Sequence, residues 1–362
     1  MKGTGELKVV VACGGTGGHA FPGLAVAEVL RRRGHEVTVW DSGRDIESSV
    51  MKEWDGDIFS TGARQLRPAN AFSLVGSFFR CRRELKKRPC DVLLAMGSYS
   101  SLTPVLAARS RSVPVVLHEA NTIPGRAVEF LSRCAHSVAV SFESTKEHLP
   151  GRECVLTGLP VRAGIAKGRR FDCIPQGSFV VFVTGGSQGA HAVNELSSRA
   201  LVTFKKELDA RGAKRPLYVI HQTGAKDEGS VMMTYAAAGV PSRVKAFESE
   251  MPDAFASADF VISRAGASTC FELALCGKPA MMIPLPTALR NHQHFNADAF
   301  ARCKAADEGL QQTLSPRQLA RYLMSLYDNP GRLEAMSAAM RSMAAGDAAE
   351  RVADVVEKAA GK

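Results

Sequence analysis

The chain has 362 residues, with 46 Lys and Arg against 36 Asp and Glu for a formal net charge of +10, and 45% of its residues are hydrophobic. That length and apolar share describe about two globular domains and exclude a disordered chain, while the positive balance favours anionic partners without choosing among nucleic acid, phosphorylated metabolites and acidic lipid heads. Nine scattered cysteines lack zinc-site spacing and disulfide-scaffold density, and no apolar run reaches the length of a membrane span or signal sequence, so reduced thiols and a cytoplasmic location are expected.

In chain order, the apolar run 7–13 predicts a buried strand, followed by Gly14, Gly15, Thr16, Gly17, Gly18 and His19. A helix over 22–33, closed by Gly34, and a strand over 36–40 complete a βαβ unit. Phe72, Leu74, Val75, Phe78 and Phe79 then run into Arg80, Arg82, Arg83, Lys86, Lys87 and Arg88, predicting a basic helix that ends before Pro89. Such a segment suits an anionic membrane surface, but the same pattern fits apolar residues packed inward beneath solvated charges. It has no nucleic-acid module or aromatic stacking pattern beside it. Strands follow over 92–95, 113–117, 137–140 and 155–156, and the basic stretch 164–177, with its glycines and proline, predicts a domain boundary.

The second half restarts the pattern with strands over 179–183, 216–221, 244–247, 259–262 and 280–283, and from Ser315 the periodicity is helical. The fold class is therefore α/β, with two doubly wound Rossmann-like domains at 1–160 and 161–343 and a closing helix in 344–362 that crosses back to the first. Gly185, Gly186, Ser187, Gln188, Gly189 and Ala190 repeat the strand-to-glycine-loop arrangement of the first half. Glycines there let the backbone approach a ligand, and the following helix turns its N-terminal amides toward an anion. Neither loop has the Lys-Ser/Thr ending of a nucleotide triphosphatase or the Gly-x-Gly-x-x-Gly of a dinucleotide fold, so a diphosphate-bearing sugar donor fits better, with the reaction held between two loops on two domains.

Residues 14–23, His118-Glu119-Ala120-Asn121, Pro160-Val161-Arg162, residues 184–190, Ser263-Arg264-Ala265-Gly266-Ala267 with Glu272, and Ile283-Pro284-Leu285-Pro286 before His292-Gln293 and Asn296-Ala297 stand in one order. Together they resemble, over nearly the whole chain, glycosyltransferase family 28, whose members add N-acetylglucosamine to undecaprenyl-diphosphate-linked N-acetylmuramyl pentapeptide. The resemblance implies a GT-B fold, two facing Rossmann-like domains with a cleft between them. It also implies an inverting mechanism without metal or cofactor, UDP-N-acetylglucosamine as donor, and a peripheral place on the cytoplasmic side of the cell membrane. Other cell-wall synthesis proteins are implied partners, with roles in cell shape and division; nucleic acid is not.

The donor's diphosphate is assigned by resemblance to Ser187, with Gln188 beside it, and the ribose to Glu272, on a helix opening with Ser268 and Thr269 and turning Leu273 and Leu275 inward. The alternative for Glu272 is dipole compensation in a first helical turn. Main chain around Phe247 and Glu248 reads the uracil, Arg162 reaches the nucleotide from the hinge unless it is an exposed linker side chain, and Gln293 and Asn121 bind the sugar. His292 and Asn296 extend that polar cluster, and amides suit neutral sugar hydroxyls. His292 and His294 fall on different sides of a helix, which argues against zinc.

The base is assigned to His19, whose residue type titrates near neutrality, with helix capping or a bond to the acceptor as alternatives and Glu119 as a second candidate; His118 reads as structural. Gly14, Gly15, Thr16, Gly17, Gly18 and Tyr99 form the acceptor side. The chain departs from the family where Ser98 stands in place of a glycine before Tyr99, a substitution expected to need negative φ and to offer a hydroxyl that can serve a phosphate. It departs again at Leu159, usually asparagine, and in the glycine-poor loop Ala63-Arg64-Gln65-Leu66-Arg67. Rival readings are a related UDP-sugar transferase with another lipid acceptor, a UDP-N-acetylglucosamine 2-epimerase, and a non-catalytic nucleotide-sugar binder.

Overall fold

The computed structural model describes residues 5–15, 17–43, 51, 54–64, 71–162 and 164–361. Thr16, Gln65, Leu66 and Arg67, named above, lie outside them. The chain divides into two compact units, residues 1–163 with 345–362, and residues 164–344.

In unit 1 the described elements are β1 (Lys8–Ala12), α1 (Gly17–Arg32), β2 (Glu36–Asp41), β3 (Ile58–Ser60), α2 (Ala71–Lys87), β4 (Val92–Ala95), α3 (Leu102–Arg109), β5 (Val115–Glu119), α4 (Arg126–Leu131), β6 (Ser137–Val140) and β7 (Cys154–Leu156). The strands form one parallel sheet in the order β3-β2-β1-β4-β5-β6-β7. The inner strands are buried on both faces, which is why they read as continuous Val, Leu and Ala runs. Val9 and Val11 pack under α1, whereas Val10, Leu93 and Leu117 pack under Cys81 and Leu85 of α2 on the other face.

Helix α1 starts five residues ahead of Pro22, earlier than the proline suggested. The ring removes only the hydrogen bond to the Gly18 carbonyl, near the helix start, so the helix accommodates it. Gly23 brings this helix onto the end of β1, since a Cβ there would lie 2.3 Å from the Cys13 Cβ.

Unit 2 contains β8 (Phe179–Thr184), α5 (His191–Ala210), β9 (Leu217–Gln222), α6 (Glu228–Ala237), β10 (Ser242–Lys245), α7 (Met251–Ser257), β11 (Phe260–Ser263), α8 (Ala267–Cys276), β12 (Ala280–Met282), α9 (His292–Arg302), β13 (Ala306–Glu308), α10 (Pro316–Tyr327) and α11 (Pro330–Ser342). Its parallel sheet runs β10-β9-β8-β11-β12-β13. Helix α10 opens with a capping box between Ser315 and Gln318. The final helix, α12 (Ala348–Ala359), belongs to unit 1, where Val352, Ala353 and Val356 join the core beneath α1. Arg33 pairs there with Glu350, Asp354 and Glu357, and His35 with Glu357 at 2.9 Å.

Both sheets reverse strand order beside their first strand, at β1/β4 in unit 1 and at β8/β11 in unit 2. Such switch points open a crevice at the carboxyl ends of the strands, and ligands of doubly wound folds bind there. Each glycine loop leaves the sheet at one of these places.

Candidate functional site

In unit 1 the loop after β1 is held by its neighbours. Gly15 has φ 124°, and a Cβ on Gly14 would lie 2.6 Å from the Ser42 nitrogen. From the adjoining strand β4, Gly97 and Ser98 bring a short turn, Tyr99–Ser101, against the same loop. The Ser100 hydroxyl donates to the Gly14 carbonyl, and Ser98 Oγ lies 3.2 Å from it. Ser98 has φ 67°, so the expectation of negative φ is corrected: the serine takes a glycine-like conformation. Tyr99 is half-buried.

His19 is half-buried in the first turn of α1, near Gly97, where a Cβ would lie 3.9 Å from its ring. His118 is buried nearby, with Nε2 3.3 Å from the Gly158 carbonyl, and burial lowers its pKa to about 4 with a smaller contribution from the His19 charge. It is therefore neutral at physiological pH, which supports its structural reading.

Glu119 is also buried. Its Oε1 accepts from the Asn121 N–H at 2.9 Å and from Asn121 Nδ2 at 3.1 Å, and Oε2 accepts from the Gly125 N–H at 2.9 Å. Burial pushes its pKa up against the pull of these donors. These contacts make Glu119 the fastening of the 119–125 turn and the residue that orients Asn121.

Arg162 is half-buried in unit 1, with its guanidinium 4.5 Å above the Phe21 ring, so neither an exposed linker side chain nor a place in the second unit describes it. Leu159 is buried.

Unit 2 carries the second loop. Ser187 and Gln188 are exposed between β8 and α5. The flanking backbone is packed too tightly for side chains: a Cβ on Gly189 would lie 1.9 Å from the Thr223 carbonyl, and Gly189 has φ 71°. Gln222, at the end of β9, was not singled out from the sequence. Its Nε2 donates to the Gly186 carbonyl at 2.8 Å and its Oε1 accepts from the Glu248 N–H at 3.1 Å, so one buried amide ties the glycine loop to the segment after β10. No local sequence pattern marks it, because its partner in the glycine loop lies 36 residues away.

On that segment Phe247 is 59% exposed and Glu248 is buried. Burial opposes ionisation of Glu248, but Arg243 donates to both its oxygens, at 2.8 and 3.1 Å, and holds the carboxyl below its ordinary range. The Glu248 side chain is thus committed to Arg243 and its N–H to Gln222.

Helix α8 begins after Gly266 with no side-chain cap, and Ser268 and Thr269 are half-buried in its first turn. Glu272 is the sixth residue of this helix and buried, one turn deeper than a dipole-compensating position. Leu273 is buried as expected, but Leu275 is only half-buried. Gln293 lies in the first turn of α9, where Oε1 accepts from the Leu285 N–H at 2.9 Å. Asn296 is buried and donates to the Ala265 carbonyl at 3.1 Å, which ties α9 to the α8 loop. His292 bonds to the Leu289 carbonyl and His294 to Glu308. Among the described residues no three His, Cys, Asp or Glu side chains form a metal cluster.

Helix α2 separates the predicted surface residues. Cys81 and Leu85 are buried and Phe78 packs on the core, so Phe78 and Leu74 do not belong to a free face. Phe72, Val75 and Phe79 are 94, 55 and 59% exposed at helical spacing, continued by exposed Arg80, Arg83, Lys86 and Lys87. Arg82 bonds Ser110, and Arg88 pairs with Asp57 at 2.6 Å. No described helix is long and apolar enough to cross a membrane. Two cavities of about 280 and 530 Å³ share His136 and Glu153 at the opposite edge of the unit 1 sheet, away from the glycine loop.

Residues 9–140 match the glycosyltransferase family 28 N-terminal domain and residues 180–352 its C-terminal domain. A protein of Methylococcus capsulatus named UDP-N-acetylglucosamine--N-acetylmuramyl-(pentapeptide) pyrophosphoryl-undecaprenol N-acetylglucosamine transferase is 37% identical, over 98% of this chain and 99% of its own. The crystal structure of Acinetobacter baumannii MurG superposes with a TM-score of 0.79 at 29% identity, covering 98% of this chain and 99% of that one. The UDP-GlcNAc 2-epimerase of Neisseria meningitidis, bound to UDP-GlcNAc, reaches a TM-score of 0.68 at 14% identity over 97% of this chain and 100% of that one, a likeness of fold alone.

Proposed function

The chain belongs to glycosyltransferase family 28 and is a glycosyltransferase with the two Rossmann-like units of the GT-B class, and from that premise we propose that it transfers N-acetylglucosamine from UDP-N-acetylglucosamine to the C4 hydroxyl of undecaprenyl-diphosphate-linked N-acetylmuramyl pentapeptide, a step of peptidoglycan synthesis. The observation that carries this reading is the identity of 34 and 37%, over 96 and 98% of this chain, with relatives named for that reaction.

Unit 2 binds the donor. The main chain at Phe247 and Glu248 reads the uracil, Glu272 accepts hydrogen bonds from the ribose, and Gln293 holds the sugar. Ser187 and Gln188, with the N-terminal amides of α5, stabilise the charge that grows on the departing diphosphate. Ser268 and Thr269 serve the same ligand at the start of α8.

Unit 1 binds the acceptor. The glycine loop, including Thr16, and Tyr99 hold the acceptor's diphosphate, and His19 takes the proton from the attacking hydroxyl as the new glycosidic bond forms and the bond to UDP breaks, inverting the anomeric centre. Neutral His118 beside it leaves that proton unopposed by a second buried cation. Asn121, oriented by Glu119, and Arg162 serve the donor's sugar and nucleotide. The exposed stripe of α2 rests on anionic lipid at the cytoplasmic face, with its aromatic side chains in the interface and each nearby charge worth about 1 kcal/mol.

Incubation of the purified protein with labelled UDP-N-acetylglucosamine and the lipid-linked acceptor tests this. A labelled disaccharide lipid is expected. Labelled N-acetylmannosamine products without acceptor, or transfer only to a different lipid, would replace the reading with one of its rivals.

A further inference from the structure

Ser98 has φ 67° and ψ 169°, a backbone conformation that glycine adopts readily and other residues rarely do. A residue is held there when its surroundings over-determine it, and the contacts that do so are visible. Ser98 Oγ lies 2.7 Å from Ser100 Oγ and 3.2 Å from the Gly14 carbonyl, and it accepts from the Ser100 N–H at 3.2 Å. The Ser100 hydroxyl donates to the same Gly14 carbonyl. Both hydroxyls thus reach the Gly14 carbonyl and each other, and the two serines form a relay that ends on that carbonyl, with either hydroxyl able to donate to the other. A Cβ on Gly15 would lie 2.6 Å from Ser98 Oγ, so the hydroxyl also abuts the next residue of the loop.

The peptide unit between Gly14 and Gly15 is planar and trans, with its C=O and N–H pointing in opposite directions. Holding the carbonyl toward the serines therefore fixes the direction of the Gly15 N–H. We propose that Ser98 is a positioning residue: its glycine-like backbone carries a hydroxyl that, together with Ser100, holds the Gly14–Gly15 peptide in the orientation that serves the acceptor's diphosphate. The proposal rests on the reading of that loop as the acceptor-diphosphate site. A glycine in the place of Ser98 keeps the backbone but not the relay.

The test compares the full-length wild type with Ser98→Gly, Ser98→Ala and Ser100→Ala, using the lipid-linked muramyl pentapeptide and UDP-N-acetylglucosamine. In Ser98→Gly, relief of the backbone and loss of the hydrogen bonds oppose each other, so the melting temperature stays within about 3 °C of wild type. Its KM for the acceptor rises about fivefold or more, a change of about 1 kcal/mol, and its KM for the donor stays within about twofold. Ser100→Ala gives the same split. Ser98→Ala loses the relay while keeping the disfavoured backbone, and it also melts lower. An acceptor KM unchanged in Ser98→Gly, or a donor KM that rises equally, overturns the proposal. A wild type that turns over no lipid-linked acceptor overturns the underlying reading along with it.

Discussion

Replacing Gln222 with leucine removes the amide that joins the glycine loop of unit 2 to the segment after β10, while keeping an apolar side chain of similar size in the strand. The Glu248 N–H is buried and loses its acceptor, at a cost of about 1 to 3 kcal/mol for an unsatisfied donor. The Gly186 carbonyl loses a donor in a part-buried place and water compensates in part, so about 0.5 to 1.5 kcal/mol is added. A stability loss of about 1.5 to 4.5 kcal/mol follows, read as a shift of the urea midpoint. The two segments must then be ordered by the ligand itself, and if about 1.4 kcal/mol of that ordering cost opposes binding, the dissociation constant for UDP rises about tenfold in calorimetry. A variant that is destabilised by this amount yet binds UDP within about twofold of wild type would refute the coupling, because it would show that Gln222 only packs the sheet.

Glu272→Ala removes the carboxylate assigned to the ribose hydroxyls, and the donor dissociation constant should rise at least about tenfold, from hydrogen bonds to a charged group worth about 1.5 to 3 kcal/mol; an unchanged constant in a folded variant contradicts that role. Glu248 gives a pH signature. Its folded pKa is depressed, so its contribution to stability is complete above the ordinary value of 4.5 and is lost as pH falls through the folded value; Glu248→Gln should flatten the acid limb of the stability curve, and an identical limb would contradict the Arg243 pairing. Exchange of Arg80, Arg83, Lys86 and Lys87 for glutamine should release the protein from anionic vesicles at low salt, as high salt does for wild type, while activity toward a short-chain acceptor persists. Unchanged sedimentation would make α2 an ordinary solvated face.

Much of the architecture was legible because inner strands of a parallel sheet are buried on both faces and must be continuous apolar runs. The short edge strands Ile58–Ser60 and Ala306–Glu308 escaped for the converse reason, since they are half-exposed and carry polar residues. The start of α1 was hidden by Pro22, whose cost near a helix start is small. Both glycine loops were visible as loops, but the partners that hold them were not. Gln222 and Ser100 act across sequence distances of 36 and 86 residues, and no local pattern marks them. Glu119 and Asn296 were visible as polar residues in a site-bearing stretch; only their burial and partners separate organising the chain from touching a ligand. The φ of Ser98 is set by Gly14 and Ser100, which is why a serine stands in a glycine's conformation.

The central claim is that one chain couples departure of UDP from the donor on unit 2 to attack by the acceptor hydroxyl served by His19 on unit 1. The most direct measurement is a single-turnover reaction with enzyme in excess, in which UDP and disaccharide lipid are quantified together and the new linkage is assigned by NMR, for wild type and His19→Ala. The account predicts one UDP per disaccharide with inverted anomeric configuration in wild type, and strongly slowed formation of both products in His19→Ala with UDP affinity unchanged. UDP release without disaccharide lipid, a retained anomeric configuration, or wild-type rates in His19→Ala would contradict it.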